Sequence, residues 1–109
     1  MSALRLSPEA VDELAEAAEW YRTQRPGLEI EFLTEVRRVL PLIETSPASF
    51  PRLLYFPEDL VIRRALLPRF PYAMIFMDLG TEIRVLAVAH AKRRPGYWLD
   101  PVETEERYS

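Results

Sequence analysis

The chain has 109 residues, a length that suits one domain, because two cores in so short a chain would each bury too little apolar surface. It contains no cysteine and one histidine, which excludes a disulfide framework, a thiolate metal site and a cysteine nucleophile, and leads us to expect no metal and no cofactor. Because no apolar run approaches the roughly 18 residues of a membrane span and no leader-like stretch follows Met1, we expect a cytoplasmic protein without a membrane partner.

Opposite charges separate along the sequence, although the whole chain is acidic with a net charge of −3. Residues 1–50 carry five Arg and nine Asp or Glu, a net charge of −4, whereas residues 51–98 carry eight Lys or Arg and four acids, a net charge of +4. Residues 99–109 add one Arg and four acids, a net charge of −3. Because phosphates and acidic protein surfaces bind to cations, any anion-binding surface is expected in the second of these segments.

The first half of the sequence predicts a strand and then a helical hairpin. Ala3–Leu6 alternates apolar and polar residues, and Ser7-Pro8-Glu9 is typical of a capped helix start. The helix is predicted to end near Gln24, because Arg25-Pro26-Gly27 interrupts it. Its apolar stripe consists of Val11, Leu14, Ala15, Ala18 and Tyr21, and its acidic residues are interpreted as solvated.

A second apolar stripe predicts a second helix, packed antiparallel to the first. It runs until Thr45-Ser46-Pro47 and contains Pro41, where we expect either a kink or a new helix start. The stripe consists of Phe32, Leu33, Val36, Val39, Leu40 and Ile43.

Residues 46–60 are proline-rich and predict a loop, after which β-branched and aromatic residues predict three strands. These are Val61–Leu67, Tyr72–Leu79 and Ile83–His90. A two-residue turn at Gly80-Thr81 would place Phe76 opposite Val85 and Met74 opposite Ala87. The order β-αα-βββ predicts an α+β fold, with a small antiparallel or mixed sheet and the N-terminal helical hairpin on one face.

Two motifs in the second half carry a resemblance to a known family. The segment Ile62–Phe76, IRRALLPRFPYAMIF, resembles the RR-x-L-x-x-x-FPY stretch of ParE-type toxins. The segment Ile83–Trp98, IRVLAVAHAKRRPGYW, resembles their last strand, VLAVxHxxRxPxYW. Weaker agreement extends upstream through Leu6–Ala10, Trp20-Tyr21 and Phe32–Val36. The resemblance to the RelE/ParE toxin superfamily therefore spans nearly the whole chain, with residues 1–98 as one toxin domain and residues 99–109 as an acidic tail.

The resemblance implies the toxin of a type II toxin–antitoxin system, also called a plasmid stabilisation protein, with a cognate antitoxin as its partner. It implies DNA gyrase as the target of a ParE-like inhibitor, which is not an enzyme in its own right. The alternative is a ribosome-dependent mRNA endonuclease of the RelE type, whose partners are the ribosome and mRNA. A third reading is a family member that binds its antitoxin and inhibits nothing. The acidic net charge disfavours the nuclease more than the gyrase inhibitor.

A nuclease would need a base, an acid and cations that hold the phosphate. His90 is the natural proton carrier at neutral pH, although a histidine that closes a strand equally serves to fix the exit of the chain by a hydrogen bond. The remaining candidates for this chemistry are Tyr97, Arg63, Arg64 and Arg93.

A partner-binding surface draws on an overlapping set of residues. Arginine forks suit carboxylates and phosphates, and Arg63 and Arg64 alternate along a strand, so the one that faces outward belongs to such a surface. Lys92-Arg93-Arg94 is either a binding cluster or a solvated loop. Tyr97-Trp98 either stacks on a ligand or anchors the C-terminal segment to the core.

Overall fold

The computed structural model describes residues 3–54, 56–93 and 97–99, and its elements follow the predicted order. Every predicted helix and strand is present, with ends within one or two residues of the predicted ones except at the start of the second helix. Short 3₁₀ turns occupy Pro47–Ser49 and Tyr97–Leu99. The main elements are β1 (Ala3–Leu6), α1 (Pro8–Gln24), α2 (Leu28–Thr45), β2 (Ile62–Leu66), β3 (Tyr72–Asp78) and β4 (Glu82–His90).

Local signals account for the ends of α1. Ser7 is the N-cap: its Oγ accepts a hydrogen bond from the backbone N–H of Ala10 at 3.1 Å, and Pro8 occupies the first helical position. At the other end the N–H of Arg25 bonds to the carbonyl of Tyr21. Gly27 then adopts a φ of 100°, a left-handed conformation that glycine reaches without strain, and α2 begins at the next residue.

The second helix runs unbroken from Leu28 to Thr45 through Pro41, so the predicted new start at Pro41 is wrong. Proline removes one N–H and crowds the preceding turn, but Pro41 is exposed and close to the end of the helix. The side-chain hydroxyl of Thr45 donates to the carbonyl of Pro41 at 2.9 Å, which supports this last turn.

The buried face of α1 is shifted from the predicted stripe. Val11 is 49% exposed and Ala15 is exposed, whereas Ala10, Ala17 and Tyr21 are buried. The prediction holds for the other three residues of the stripe, because Tyr21 is buried and Leu14 and Ala18 pack against the core. Ala10 and Ala17 take the places expected for Val11 and Ala15.

The sheet is mixed, with the strand order β1-β4-β3-β2, and β1 pairs with β4 in parallel. The predicted pairing of Phe76 with Val85 is confirmed, but Met74 pairs with Val88 rather than with Ala87. The register shifts between Ile75 and Phe76, so β4 carries one extra residue at this point, a β-bulge. Because of the bulge, Val88 joins the sheet face that Val85 occupies.

Both helices pack on one face of the sheet and bury the main core there, as predicted. Its centre is aromatic: the ring of Phe32 contacts the rings of Tyr21, Phe70 and Tyr72, at centroid distances of 5.1, 5.3 and 5.4 Å. No helix among the described residues is long and apolar enough to cross a bilayer.

The opposite face of the sheet is covered only in part. The loop after α2 runs alongside β2, where Arg52 forms a bridge with Arg63 and the N–H of Leu53 bonds to the carbonyl of Ile62 at 2.8 Å. A smaller apolar cluster forms beneath this loop. It consists of Leu53, Ile62, Ala73, Ile75, Ala87 and Ala89, with Phe56, Leu60, Met77, Tyr97 and Trp98 packed against it.

Candidate functional site

Beyond the end of β1, side chains of α1 and of its N-cap form hydrogen bonds with the backbone of β4. The parallel pairing with β1 ends at Leu6, opposite Val85. Beyond that point the Ser7 hydroxyl donates to the carbonyl of Leu86 at 3.2 Å, and the N–H of Val88 donates to a carboxylate oxygen of Glu13 at 2.9 Å. These contacts hold α1 against the end of the strand that carries His90.

Glu13 also holds the C-terminal segment. The Tyr97 hydroxyl donates to the second carboxylate oxygen of Glu13, and the Arg93 guanidinium lies 4.0 Å from the centre of the Tyr97 ring. Burial raises the pKa of Glu13 above its usual value, against the lowering effect of the bonds from Tyr97 and Val88. Burial, and next the bond to Glu13, raise the pKa of the Tyr97 hydroxyl, so it stays protonated. The interpretation of all acidic residues of α1 as solvated is therefore wrong for Glu13.

A cleft of about 620 Å³ opens beside this cluster, between α1 and the ends of β3 and β4, and is called the α1 cleft below. One wall is formed by side chains of α1 spaced about one helical turn apart, and the other includes the rings of Tyr72, His90 and Tyr97 together with Arg93. The lining residues are Glu13, Glu16, Ala17, Trp20, Tyr21, Pro71, Tyr72, Val88, His90, Arg93 and Tyr97.

The imidazole of His90 fixes the exit of the chain from β4. Its Nδ1 accepts a hydrogen bond from the backbone N–H of Lys92 at 3.0 Å, and its ring meets Tyr72 edge to face at 5.1 Å. Since Nδ1 uses its lone pair in this bond, the neutral ring carries its proton on Nε2. With this bond in place His90 can donate a hydrogen bond from Nε2, but it can take up a proton, or give one up as imidazolium, only after Nδ1 loses the bond to Lys92.

Arg63 and Arg64 point to opposite sides of the sheet. The Arg63 guanidinium donates to the carbonyl of Phe50 at 2.8 Å, a structural contact on the helical side of the sheet. Arg64 is exposed on the opposite side, and it is the outward-facing arginine that the alternation requires.

A smaller cavity of about 140 Å³ lies on that opposite side, and we call its surroundings the sheet face. Three of the predicted site residues line this cavity: Arg64, His90 and Arg93. Arg63 does not, because it lies on the helical side of the sheet. Leu66, which is 58% exposed, lies at its rim. The sheet face is lined by Leu53, Arg64, Leu66, Tyr72, Ala73, Ile75, Ala89, His90, Ala91, Arg93 and Trp98.

The aromatic pair after β4 anchors the C-terminal segment on both sides of His90. Tyr97 reaches the α1 cleft through Glu13, while Trp98 lines the sheet face with its ring 6.1 Å from that of Phe56. The indole N–H of Trp98 is buried and meets no hydrogen-bond acceptor among the described residues, which costs about 1–3 kcal/mol.

Two predictions fall on residues outside the described part of the chain: Arg94, and the acidic tail beyond Leu99. Glu13, Glu16 and Trp20 line the α1 cleft but were not predicted as site residues. A signal for Glu13 was available, because it follows Ala10 by three residues and precedes Ala17 by four, and a carboxylate between two small buried residues faces the sheet.

We expect the effect of Glu13 on stability to depend on pH. Its folded-state pKa is raised above the usual 4.5, so the folded chain binds this proton more tightly than the unfolded chain. The contribution of Glu13 should therefore become more favourable as pH falls through the raised folded value towards 4.5, and less favourable as pH rises. Urea unfolding of the unaltered chain and Glu13→Gln over this range measures that difference.

Tyr97→Phe is the matched variant for this measurement. The Tyr97 hydroxyl lowers the pKa of Glu13, so its removal should raise that pKa further and steepen the pH dependence. The nearby charges of Arg93 and Glu16 remain in both variants. A stability difference between the unaltered chain and Glu13→Gln that stays constant with pH would contradict the prediction.

Comparison with known proteins identifies the fold. No protein-family model and no curated protein matches the chain. The structure matches a chain of the chromosomal ParDE toxin–antitoxin system from P. aeruginosa with a TM-score of 0.69. The two chains are 23% identical, and the match covers 83% of this chain and 96% of the other. This likeness confirms the predicted α+β fold of the RelE/ParE type.

Proposed function

We propose that this chain is the toxin of a type II toxin–antitoxin system, a ParE-like inhibitor that binds DNA gyrase and is silenced by a cognate antitoxin in the cytoplasm. The observation that carries the proposal is the sheet face, where an exposed arginine, Arg64, and an exposed leucine, Leu66, adjoin the indole of Trp98. This surface lies on a fold shared with a chain of a ParDE system.

The chemistry of the sheet face suits a protein partner. Arginine and tryptophan are enriched among the residues that dominate binding energy at protein interfaces. Arg64 and Arg93 provide two planar forks for carboxylates, while Leu66 and Trp98 provide apolar area in the lining of the same cavity. An acidic, partly apolar surface of the target is the complement of this arrangement.

The antitoxin would use the same cations. An extended or helical antitoxin segment with acidic residues can cover Arg64 and the cluster Lys92-Arg93-Arg94, and its apolar residues can cover Leu66. Binding of this kind hides the surface that the gyrase needs, so neutralisation follows from competition.

One observation favours the alternative, an mRNA endonuclease: Arg64, His90 and Arg93 line the same cavity. Two arginines beside an imidazole can hold a phosphate near a proton donor. However, the lone pair of His90 Nδ1 is bonded to Lys92, and the Tyr97 hydroxyl is bonded to Glu13. Neither group is therefore placed as a free base, and inhibition by binding is the function we prefer.

The test is induced expression in a bacterial host, with DNA synthesis and protein synthesis followed separately by pulse labelling. Early loss of DNA synthesis with a DNA-damage response is the expected result. Early loss of protein synthesis, with RNA ends mapping within translated codons, would replace the proposal by the nuclease. Unimpaired growth would leave only an antitoxin-binding protein.

A second experiment addresses the antitoxin. Co-expression of a gene encoded beside this chain should restore growth, and the two proteins should copurify. Growth that stays arrested despite stable production of both proteins would remove the antitoxin from the proposal.

A further inference from the structure

Trp20 is a large aromatic residue of which the fold buries less than half. It is 55% exposed, although its ring meets Tyr21 edge to face at a centroid distance of 5.1 Å. It stands on the helical wall of the α1 cleft, so its exposed area faces a concave surface. A large aromatic ring at the rim of a cleft is typical of a binding residue, because it offers much contact area at small entropic cost.

Glu16 lies one helical turn before Trp20, so the two side chains are neighbours on the surface of α1. Glu16 also lines the α1 cleft and is exposed. Some acids of the two helices have cationic partners, since Glu19 pairs with Arg22 and Glu35 with Arg38, but Glu9 and Asp12 of α1 form no salt bridge among the described residues. Within the described part of the chain, no salt bridge joins Glu16 to a cation.

The charged residues that line the α1 cleft are two acids, Glu13 and Glu16, and one cation, Arg93, which lowers the pKa of Glu13 and of Tyr97. Burial raises the pKa of Tyr72, and the negative charges of Glu13 and Glu16 raise it further. Glu16 likewise raises the pKa of Glu13. Of the cations, Arg93 lines the cleft, but its guanidinium lies over the ring of Tyr97. A further cation at Glu16 would reduce this repulsion.

We propose that the α1 cleft binds an arginine side chain of a partner protein, with the guanidinium between the Trp20 ring and the Glu16 carboxylate. Arginine fits better than lysine, because its planar group stacks on an indole and also donates paired hydrogen bonds to a carboxylate. The volume of about 620 Å³ accommodates the side chain together with apolar neighbours in the partner segment.

This inference deepens the proposed function and rests on it for the identity of the partner, which is the antitoxin. The two binding surfaces differ in charge: Arg93 lines both, but Arg64 lines only the sheet face and the acids Glu13 and Glu16 line only the α1 cleft. An antitoxin segment with acids for the first surface and an arginine for the second can bind in only one direction. The α1 cleft thus contributes specificity.

The test is a titration of the purified full chain with two short peptides, followed by NMR of the tryptophan indole signals. One peptide has an arginine between two leucines, and the other has citrulline, the uncharged isostere, in its place. Binding in the millimolar range with at least about fivefold preference for arginine is the expected result. The Trp20 indole signal should shift, and the Trp98 signal should not.

Three variants assign the contact. Glu16→Gln and Trp20→Leu should each weaken arginine-peptide binding about threefold to tenfold, because each removes one surface contact of the guanidinium. Glu9→Gln is the matched control: it makes the same charge change on α1 at an exposed residue outside the cleft, and it should leave binding unchanged. All three residues are exposed or half exposed, so the fold should survive, as melting curves would verify.

The inference is overturned if both peptides bind equally, if neither shifts the Trp20 signal, or if Glu9→Gln weakens binding as much as Glu16→Gln. These outcomes are separate from those of the proposed function. If the chain arrests growth and the antitoxin rescues it, but the arginine peptide does not bind, only the proposed arginine site in the α1 cleft is rejected. Arginine binding by a chain that never impairs growth would reject the toxin alone.

Discussion

Phe32→Ala should lower the free energy of unfolding by about 3–5 kcal/mol, because the substitution removes a fully buried ring and leaves a cavity. The ring of Phe32 is the centre of the aromatic cluster that joins α2 to α1 and to the start of β3. A domain of this size is stabilised by roughly 5–15 kcal/mol in total, so the loss is a large fraction of its stability.

Urea unfolding followed by circular dichroism measures this loss. Leu42→Ala is the control, since Leu42 is in the same helix but 54% exposed, and it should change stability by about 0.5 kcal/mol or less. A similar effect of both substitutions would contradict the assigned core. Weakened growth inhibition by Phe32→Ala would report lost folding and would say nothing about the target.

Arg64→Glu should abolish growth inhibition, because it places a carboxylate at the centre of the surface proposed to bind an acidic target. Loss of one charge pair and a new repulsion should weaken binding to purified gyrase about 30-fold or more. Arg64 is exposed, so the substitution should leave the fold intact. Colony counts under induction and surface plasmon resonance with gyrase measure the two effects.

Arg37→Glu is the matched control for charge. Arg37 is exposed on α2, on the helical side of the molecule, and its reversal should leave both growth inhibition and gyrase binding unchanged. If Arg37→Glu rescues growth as fully as Arg64→Glu, the loss of toxicity results from the change in net charge and not from the position of Arg64 on the sheet face.

His90→Ala separates inhibition by binding from RNA cleavage. Its loss removes one hydrogen bond, to Lys92, and the variant should still arrest growth if the protein acts by binding. A variant that folds and binds the antitoxin but no longer arrests growth would favour the nuclease, in which His90 would release Nδ1 from Lys92 to transfer a proton.

The sequence by itself determined the elements and their order. Ser7 and Pro8 start α1, Pro26 and Gly27 separate the helices, and the β-branched segments after residue 60 became strands, as predicted. These signals act within a few residues: a cap, a missing N–H or a permitted φ has its effect whatever the rest of the chain does.

Only the tertiary structure decided which residues meet. The bulge in β4 changes the face on which Val88 lies, and the carboxylate of Glu13 bonds to Val88 and Tyr97, which follow it by 75 and 84 residues. Strand alternation predicted that Arg63 and Arg64 point to opposite sides of the sheet. It did not predict which of the two arginines lies on the side of the helices. Such contacts depend on how strands and helices assemble. The hydrophobic period of a segment indicates which of its faces is buried, but it does not indicate which other segment packs against that face.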